Sequence, residues 1–194
     1  MNIAMVGSGY VGLVSGACLA DFGHRVVCVD KDTRKIDALL RNEIPIFEPG
    51  LDGLVASNVA AGRLNFGMEL SGPVADADVV FIAVGTPSRR GDGHADLSYV
   101  YAAAKEIARA LNGFTVVVTK STVPVGTGDE VERIIREENP TADFAVVSNP
   151  EFLREGAAID DFKRPDRIVI GLEDERARDV MTEVYRPLYL NQAP

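Results

Sequence analysis

Ile3-Ala4-Met5-Val6-Gly7-Ser8-Gly9-Tyr10-Val11-Gly12 decides the fold of this chain: an apolar run ends directly on a glycine loop, and a helical segment, Leu13 to Phe22, follows. Gly23 closes that segment, and a second apolar run, Arg25-Val26-Val27-Cys28-Val29, ends on Asp30. A bare G-x-G-x-x-G is a weak signal, because glycine-rich turns are common. Here it sits between a strand and a helix, and an acid falls 18 residues after Gly12, which reads as a dinucleotide-binding βαβ unit rather than an ordinary one. Gly7 makes the tight turn, Gly9 lets backbone approach a pyrophosphate, and Gly12 lets helix and strand pack closely. The helix start offers free N–H groups and partial positive charge to phosphates. Asp30 would accept hydrogen bonds from an adenosine ribose and repel a 2′-phosphate, so the expected cofactor is NAD rather than NADP.

The chain's 194 residues suffice for a full core, and 46% hydrophobic with 25% charged residues is the balance of a globular protein. No apolar stretch approaches the roughly 18 residues of a membrane span. The N-terminus runs straight into the first strand without a signal-peptide pattern, so a cytoplasmic location and no membrane partner are expected. A net charge of −9 argues against nucleic-acid binding. Cys18 and Cys28 are too few for a disulfide framework and lack metal-ligand spacing; both read as small core residues, and no metal site is expected. His24 and His94 read as surface residues.

Apolar runs alternate with helical patterns nearly to the end. Strands are predicted at 2–6, 25–30, 64–67, 78–84, 115–120, 144–148 and 167–171, and helices at 10–22, 32–41, 50–61, 98–112, 126–138, 154–160 and 174–185. Continuous runs such as Val79 to Val84 and Thr115 to Val118 suit strands covered on both faces. The alternation predicts an α/β fold: a doubly wound, mostly parallel sheet, Rossmann-like, with helices on both faces. The most loop-like stretches are Thr86 to Asp96 and Asn149 to Pro165.

Ligand loops of such a sheet lie beyond the carboxyl ends of its strands. Gly85-Thr86-Pro87 ends one strand and could admit the nicotinamide half of a dinucleotide, or be only a turn before Arg89 to Gly93. Lys120-Ser121-Thr122-Val123-Pro124 ends the next; Thr122 could order a water or touch cofactor, or Ser121 or Thr122 could simply cap the following helix. Glu151 and Glu155 are the candidates for chemistry: if their segment is helical they fall one turn apart on one face, and a partly desolvated carboxylate there could act as a general base.

Together these loops resemble the UDP-glucose dehydrogenase family, within the wider UDP-glucose/GDP-mannose dehydrogenases. The carriers are Gly7 to Gly12, Phe47-Glu48-Pro49-Gly50-Leu51, Gly85-Thr86-Pro87, Lys120 to Gly126 and Asn149-Pro150-Glu151-Phe152-Leu153-Arg154-Glu155-Gly156. Pro165 to Gly171 looks more like the UDP-glucose branch. The resemblance implies oxidation of a UDP-glucose C6 alcohol to the carboxylate in two NAD-dependent steps through a cysteine thioester. It implies that Gly7, Gly9, Tyr10, Val11, Gly12, Asp30, Lys35, Val84, Gly85, Thr86, Pro87, Ser121, Thr122 and Glu155 serve the cofactor. It gives Glu151 a part in proton transfer or thioester hydrolysis, with Thr122 placing water, and gives Phe152, Leu153, Arg154 and Glu155 contact with the UDP-sugar.

The family's lysine, asparagine and nucleophilic cysteine match no position here. Residues 1–194 are therefore expected to be the NAD-binding domain alone, without the central helix and the C-terminal UDP-sugar domain, inactive in isolation and part of a homodimer when complete. Two other readings stand beside this one. One is a free-standing module that binds NAD(H) or a nucleotide sugar without catalysis; the other is a β-hydroxyacid-type dehydrogenase, against which the Asn149 to Gly156 segment speaks.

Overall fold

The structure, a computed structural model, describes residues 1–89, 91 and 94–190. Arg90, Asp92 and Gly93 of the expected loop, and the last four residues, lie outside the described residues. Strands β1 (Asn2–Val6), β2 (Arg25–Val29), β3 (Leu64–Gly67), β4 (Val79–Ile82), β5 (Thr115–Thr119), β6 (Phe144–Ser148) and β7 (Gly171–Leu172) form one sheet in the order β3-β2-β1-β4-β5-β6-β7. Pairs from β3 to β6 are parallel, and β7 runs antiparallel to β6. The chain winds outward one way from β1 and then the other way from β4, so the crevice of the sheet opens where those two strands part.

Successive side chains of a strand face opposite ways, which explains the uninterrupted apolar runs. Val79 and Phe81 enter one core, Val80 and Ile82 the other. The first core is covered by α1 (Tyr10–Asp21), α2 (Thr33–Leu40), α3 (Leu51–Ala60), α7 (Ala158–Lys163) and α8 (Arg176–Leu190). The second lies under α4 (Ser71–Ala75), α5 (Ser98–Ala110) and α6 (Thr127–Glu138). α1 lies so close to the sheet that a Cβ on Gly12 would stand 1.9 Å from the Gly7 carbonyl oxygen.

The predicted fold is the observed one, with local corrections. Of the strand expected over 167–171 only the end pairs; upstream of it the Val169 carbonyl accepts from Asn149 Nδ2 at 2.9 Å. The helix expected over 154–160 starts later, at Ala158. Residues 151–154 are not helical, so Glu151 and Glu155 do not share a helix face. α4 was not expected. His24 is not a surface residue: it is buried, and its Nε2 lies 2.9 Å from the Val184 carbonyl of α8. Among the described residues no helix is long and apolar enough to cross a membrane, and no group of three or more His, Cys, Asp or Glu side chains could hold a metal ion.

Candidate functional site

A cleft of about 920 Å³ opens at the parting of β1 and β4. Gly7 and Gly9 from the glycine loop, Asp30 and Lys35 from the end of β2 and from α2, and Val84 to Pro87 from the end of β4 all line it. Gly7 turns the chain with φ +103°, and a Cβ there would meet the Ala83 carbonyl oxygen at 2.6 Å. Gly9 precedes α1 with no side-chain cap, and a Cβ on it would meet nothing within 4 Å. The first-turn N–H groups of a helix have no intrahelical partner, and here they stand behind a glycine that leaves space for an anion. The residues present therefore fit a dinucleotide.

Asp30 closes the far end of the cleft. Its Oδ2 accepts from Ser8 N at 2.8 Å and Lys35 Nζ at 2.7 Å, and its Oδ1 accepts from Asp32 N at 3.0 Å. Burial works against its charge, but the Lys35 ammonium and the two N–H groups outweigh that and hold its carboxyl below the usual range.

The β5 and β6 ends meet beside this cleft. Ser121 is buried and its hydroxyl donates to the Val84 carbonyl at 2.7 Å, joining two strand ends. The alternative in which Ser121 or Thr122 caps the next helix is not adopted, since α6 begins only at Thr127, after Gly126. Instead Thr86 Oγ1 donates to the Thr122 carbonyl at 3.2 Å, and Thr122 Oγ1 lies 3.4 Å from Glu151 Oε1. The other carboxylate oxygen of Glu151 is buried without a hydrogen-bond partner. An orphaned buried acceptor costs free energy, and this one is left open to a donor from a ligand or a water.

Glu151, Phe152, Leu153 and Arg154 line a second cavity of about 380 Å³ together with Lys120 and Asn149. Lys120, at 3% exposure, is a site residue to which the sequence alone gives no role. Its Nζ donates to Asn149 Oδ1 at 3.2 Å and lies 3.4 Å from Tyr185 Oη and 5.5 Å from the centre of the Phe162 ring. Burial lowers the Lys120 pKa to about 8, with the charge of Glu151 acting the other way. Arg154 is committed to Asp161, to which its guanidinium donates at 2.6 and 3.1 Å. Glu155 is exposed and does not line either cavity.

Glu48 fixes the loop that shapes this second cavity. Its buried carboxylate accepts from Gly156 N and Ala158 N, both at 2.8 Å, and from the Tyr10 hydroxyl. It thereby caps α7 from 110 residues away, which is why that helix starts at Ala158. Burial opposes its charge, but these donors hold its carboxyl below the usual range. Tyr10, expected at the cofactor, therefore points its phenol to Glu48 and the Gly156 turn. Val11 and Gly12 lie outside the cleft lining as well, and Gly12 acts through helix packing.

A glycine loop, an acid at the end of β2 and a crevice at the switch point of a parallel sheet define a dinucleotide-binding domain of the Rossmann type. The sequence model of the NAD binding domain of the UDP-glucose/GDP-mannose dehydrogenase family matches residues 1–189, and the chain belongs to that family. It is 80% identical to a UDP-glucose 6-dehydrogenase of Rhizobium meliloti, an alignment covering 100% of this chain and 45% of that protein. Among solved structures, a UDP-glucose dehydrogenase of Pyrobaculum islandicum superposes with a TM-score of 0.92 at 44% identity, over 99% of this chain and 44% of the other. A GDP-mannose dehydrogenase of Pseudomonas aeruginosa gives the same TM-score at 40% identity, over 96% of this chain and 44% of the other. The chain thus spans less than half the length of each of these three proteins, and it matches the family's NAD-binding domain.

Proposed function

We propose that this chain supplies the cofactor half of an active site that oxidises the C6 alcohol of UDP-glucose to the carboxylate in two NAD-dependent steps. The observation that carries this reading is the continuous run Thr86–Thr122–Glu151, which leads from the glycine-loop cleft to the second cavity. NAD, when bound, supplies the hydride acceptor. In this chain Gly7, Gly9 and the start of α1 receive its phosphates, and Asp30 with Lys35 receives its adenosine ribose. Glu151, whose second oxygen is buried without a partner, accepts a proton from a hydroxyl or a water, and Thr122 holds that group in line. Phe152, Leu153 and Arg154 bound the sugar side, with Glu155 at its rim. A module that only sensed NAD would have no use for an orphaned carboxylate at this junction.

The nucleophilic thiol of that chemistry is neither cysteine described. Cys18 and Cys28 are buried, and burial raises each thiol to about 12. At neutral pH both are unreactive. The whole of residues 1–194 is assigned to one NAD-binding domain of a homodimeric enzyme. The test is NADH formation from NAD and UDP-glucose. The protein that carries this domain should turn over and lose most of its rate as Glu151→Gln, whereas the 194 residues alone should form no NADH. Sustained turnover by the 194 residues, or an unimpaired Glu151→Gln enzyme, would overturn the reading.

A further inference from the structure

Beyond the end of the sheet, side chains rather than backbone keep Thr122 opposite Glu151. β5 and β6 pair residue by residue as far as Thr119 and Ser148, and the Asn149 N–H then donates to the Thr119 carbonyl at 3.0 Å. Among the described residues that is the last backbone bond between the two segments. The register nevertheless continues in side chains: Lys120 meets Asn149 and Thr122 meets Glu151, each pair 29 positions apart, the same offset as in the strands.

The first of these pairs is buried and tied on several sides. Lys120 Nζ donates to Asn149 Oδ1 at 3.2 Å and to Tyr185 Oη at 3.4 Å, and the Tyr185 hydroxyl donates to the same Asn149 oxygen at 2.5 Å. Asn149 Nδ2 donates to the Val169 carbonyl at 2.9 Å, which fixes the way the amide faces. Tyr185 belongs to α8, whose Met181, Val184 and Leu188 sit in the first core and whose Val184 carbonyl lies 2.9 Å from His24 Nε2. Its hydroxyl is thus held in place by helix packing. An ammonium is costly to bury, and an apolar side chain would fill the same space without that cost. What the ammonium adds is direction, because it bonds at once to the segment after β6 and to α8.

We propose that Lys120, Asn149 and Tyr185 are positioning residues for the reaction: their buried bonds carry the β5–β6 register past the end of the sheet and so hold Thr122 opposite Glu151. Thr122 follows Lys120 by two residues, and Glu151 follows Asn149 by two. A shift at the first pair is therefore passed on to the second, and α8 sets where the carboxylate stands.

This rests on the reading of Glu151 as the proton acceptor, and the test separates the two. NADH formation from NAD and UDP-glucose is followed in the protein that carries this domain, as wild type, Tyr185→Phe, Lys120→Met, Glu151→Gln and Tyr185→Phe/Glu151→Gln, with circular dichroism as the check on folding. Tyr185→Phe and Lys120→Met should lower kcat by about 10- to 100-fold, the scale of a reacting group misplaced by an ångström or less. The KM for NAD should move by less than about twofold, because neither residue lines the cofactor cleft. Added to Glu151→Gln, Tyr185→Phe should cost less than about twofold more, since it acts through that carboxylate. Folded variants with undiminished kcat overturn the positioning role alone, as does a loss of equal size in both backgrounds or one that falls on the KM for NAD. Unfolding of both single variants also overturns it, because the network would then serve folding only. An unimpaired Glu151→Gln enzyme overturns this inference and the proton-acceptor reading together.

Discussion

The cofactor cleft and the second cavity lie side by side at one edge of one sheet, yet they are built in opposite ways. The cleft is assembled mostly from backbone: two glycines, a helix start and a strand end, with the ion pair Asp30–Lys35, five residues apart in sequence, inside it and Lys31–Glu106 on its wall. The second cavity is assembled from side chains drawn from far along the chain. Lys120 meets Tyr185 across 65 positions, and Glu48 meets Ala158 across 110. The first kind of site tolerates no added atom at Gly7 or at Gly12 behind it, while few of its side chains matter; the second depends on a buried polar network in which each member satisfies another.

Substitutions can break that contrast, and the largest effect belongs to the glycine that packs α1 behind the cleft. Gly12→Val forces a side chain where even a Cβ would stand 1.9 Å from the Gly7 carbonyl oxygen. It should cost about 3 kcal/mol or more in a urea titration and abolish NAD binding; a loss under about 1 kcal/mol would show that α1 and the loop are not in close contact. Lys120→Met sharpens the other side through pH. Folding lowers the Lys120 pKa from 10.5 to about 8, so between those values the unfolded chain holds the proton that the folded chain has released. Wild type should therefore gain stability relative to Lys120→Met, by about 3 kcal/mol, as pH rises from about 8 to 10.5. Parallel pH profiles for the two proteins would mean that Lys120 is not desolvated.

Glu48→Gln should cost about 2 kcal/mol, the scale of hydrogen bonds to a charged group. Its distinctive sign is regional: amide exchange should quicken across 151–163 and stay unchanged across 3–29. Equal acceleration in both stretches would make the two regions one cooperative unit. Thr122→Ala is the smallest change. Its hydroxyl is 3.4 Å from Glu151, so stability should move by less than about 0.5 kcal/mol and NAD affinity by less than about twofold. A larger loss of NAD affinity would put Thr122 on the cofactor rather than at the junction.

The same contrast governs what could be read from the sequence. The doubly wound sheet was legible because both-face burial leaves apolar runs in the strands, and the cleft because Gly7, Gly9 and Asp30 sit at fixed spacing in one βαβ unit. Val84 to Pro87 were legible as the loop after an apolar strand. Glu151 was singled out by its place after β6; the helical face that it could have shared with Glu155 does not form, since residues 151–154 are not helical and the next helix begins only at Ala158. The direction of Tyr10 was hidden because its partner lies 38 positions away. Lys120, Asn149 and Tyr185 gave no local signal, because a lysine at a strand end looks like any surface lysine until α8 and α7 close over it. His24 misled in the same way: its buried place depends on Val184, 160 positions on.

Calorimetric titration of the wild-type chain with NAD decides whether these residues form a working NAD site by themselves. Saturable binding of one NAD per chain is expected, with NADP weaker by about tenfold or more. A chain that is folded by circular dichroism and gives no binding heat at millimolar NAD would contradict it.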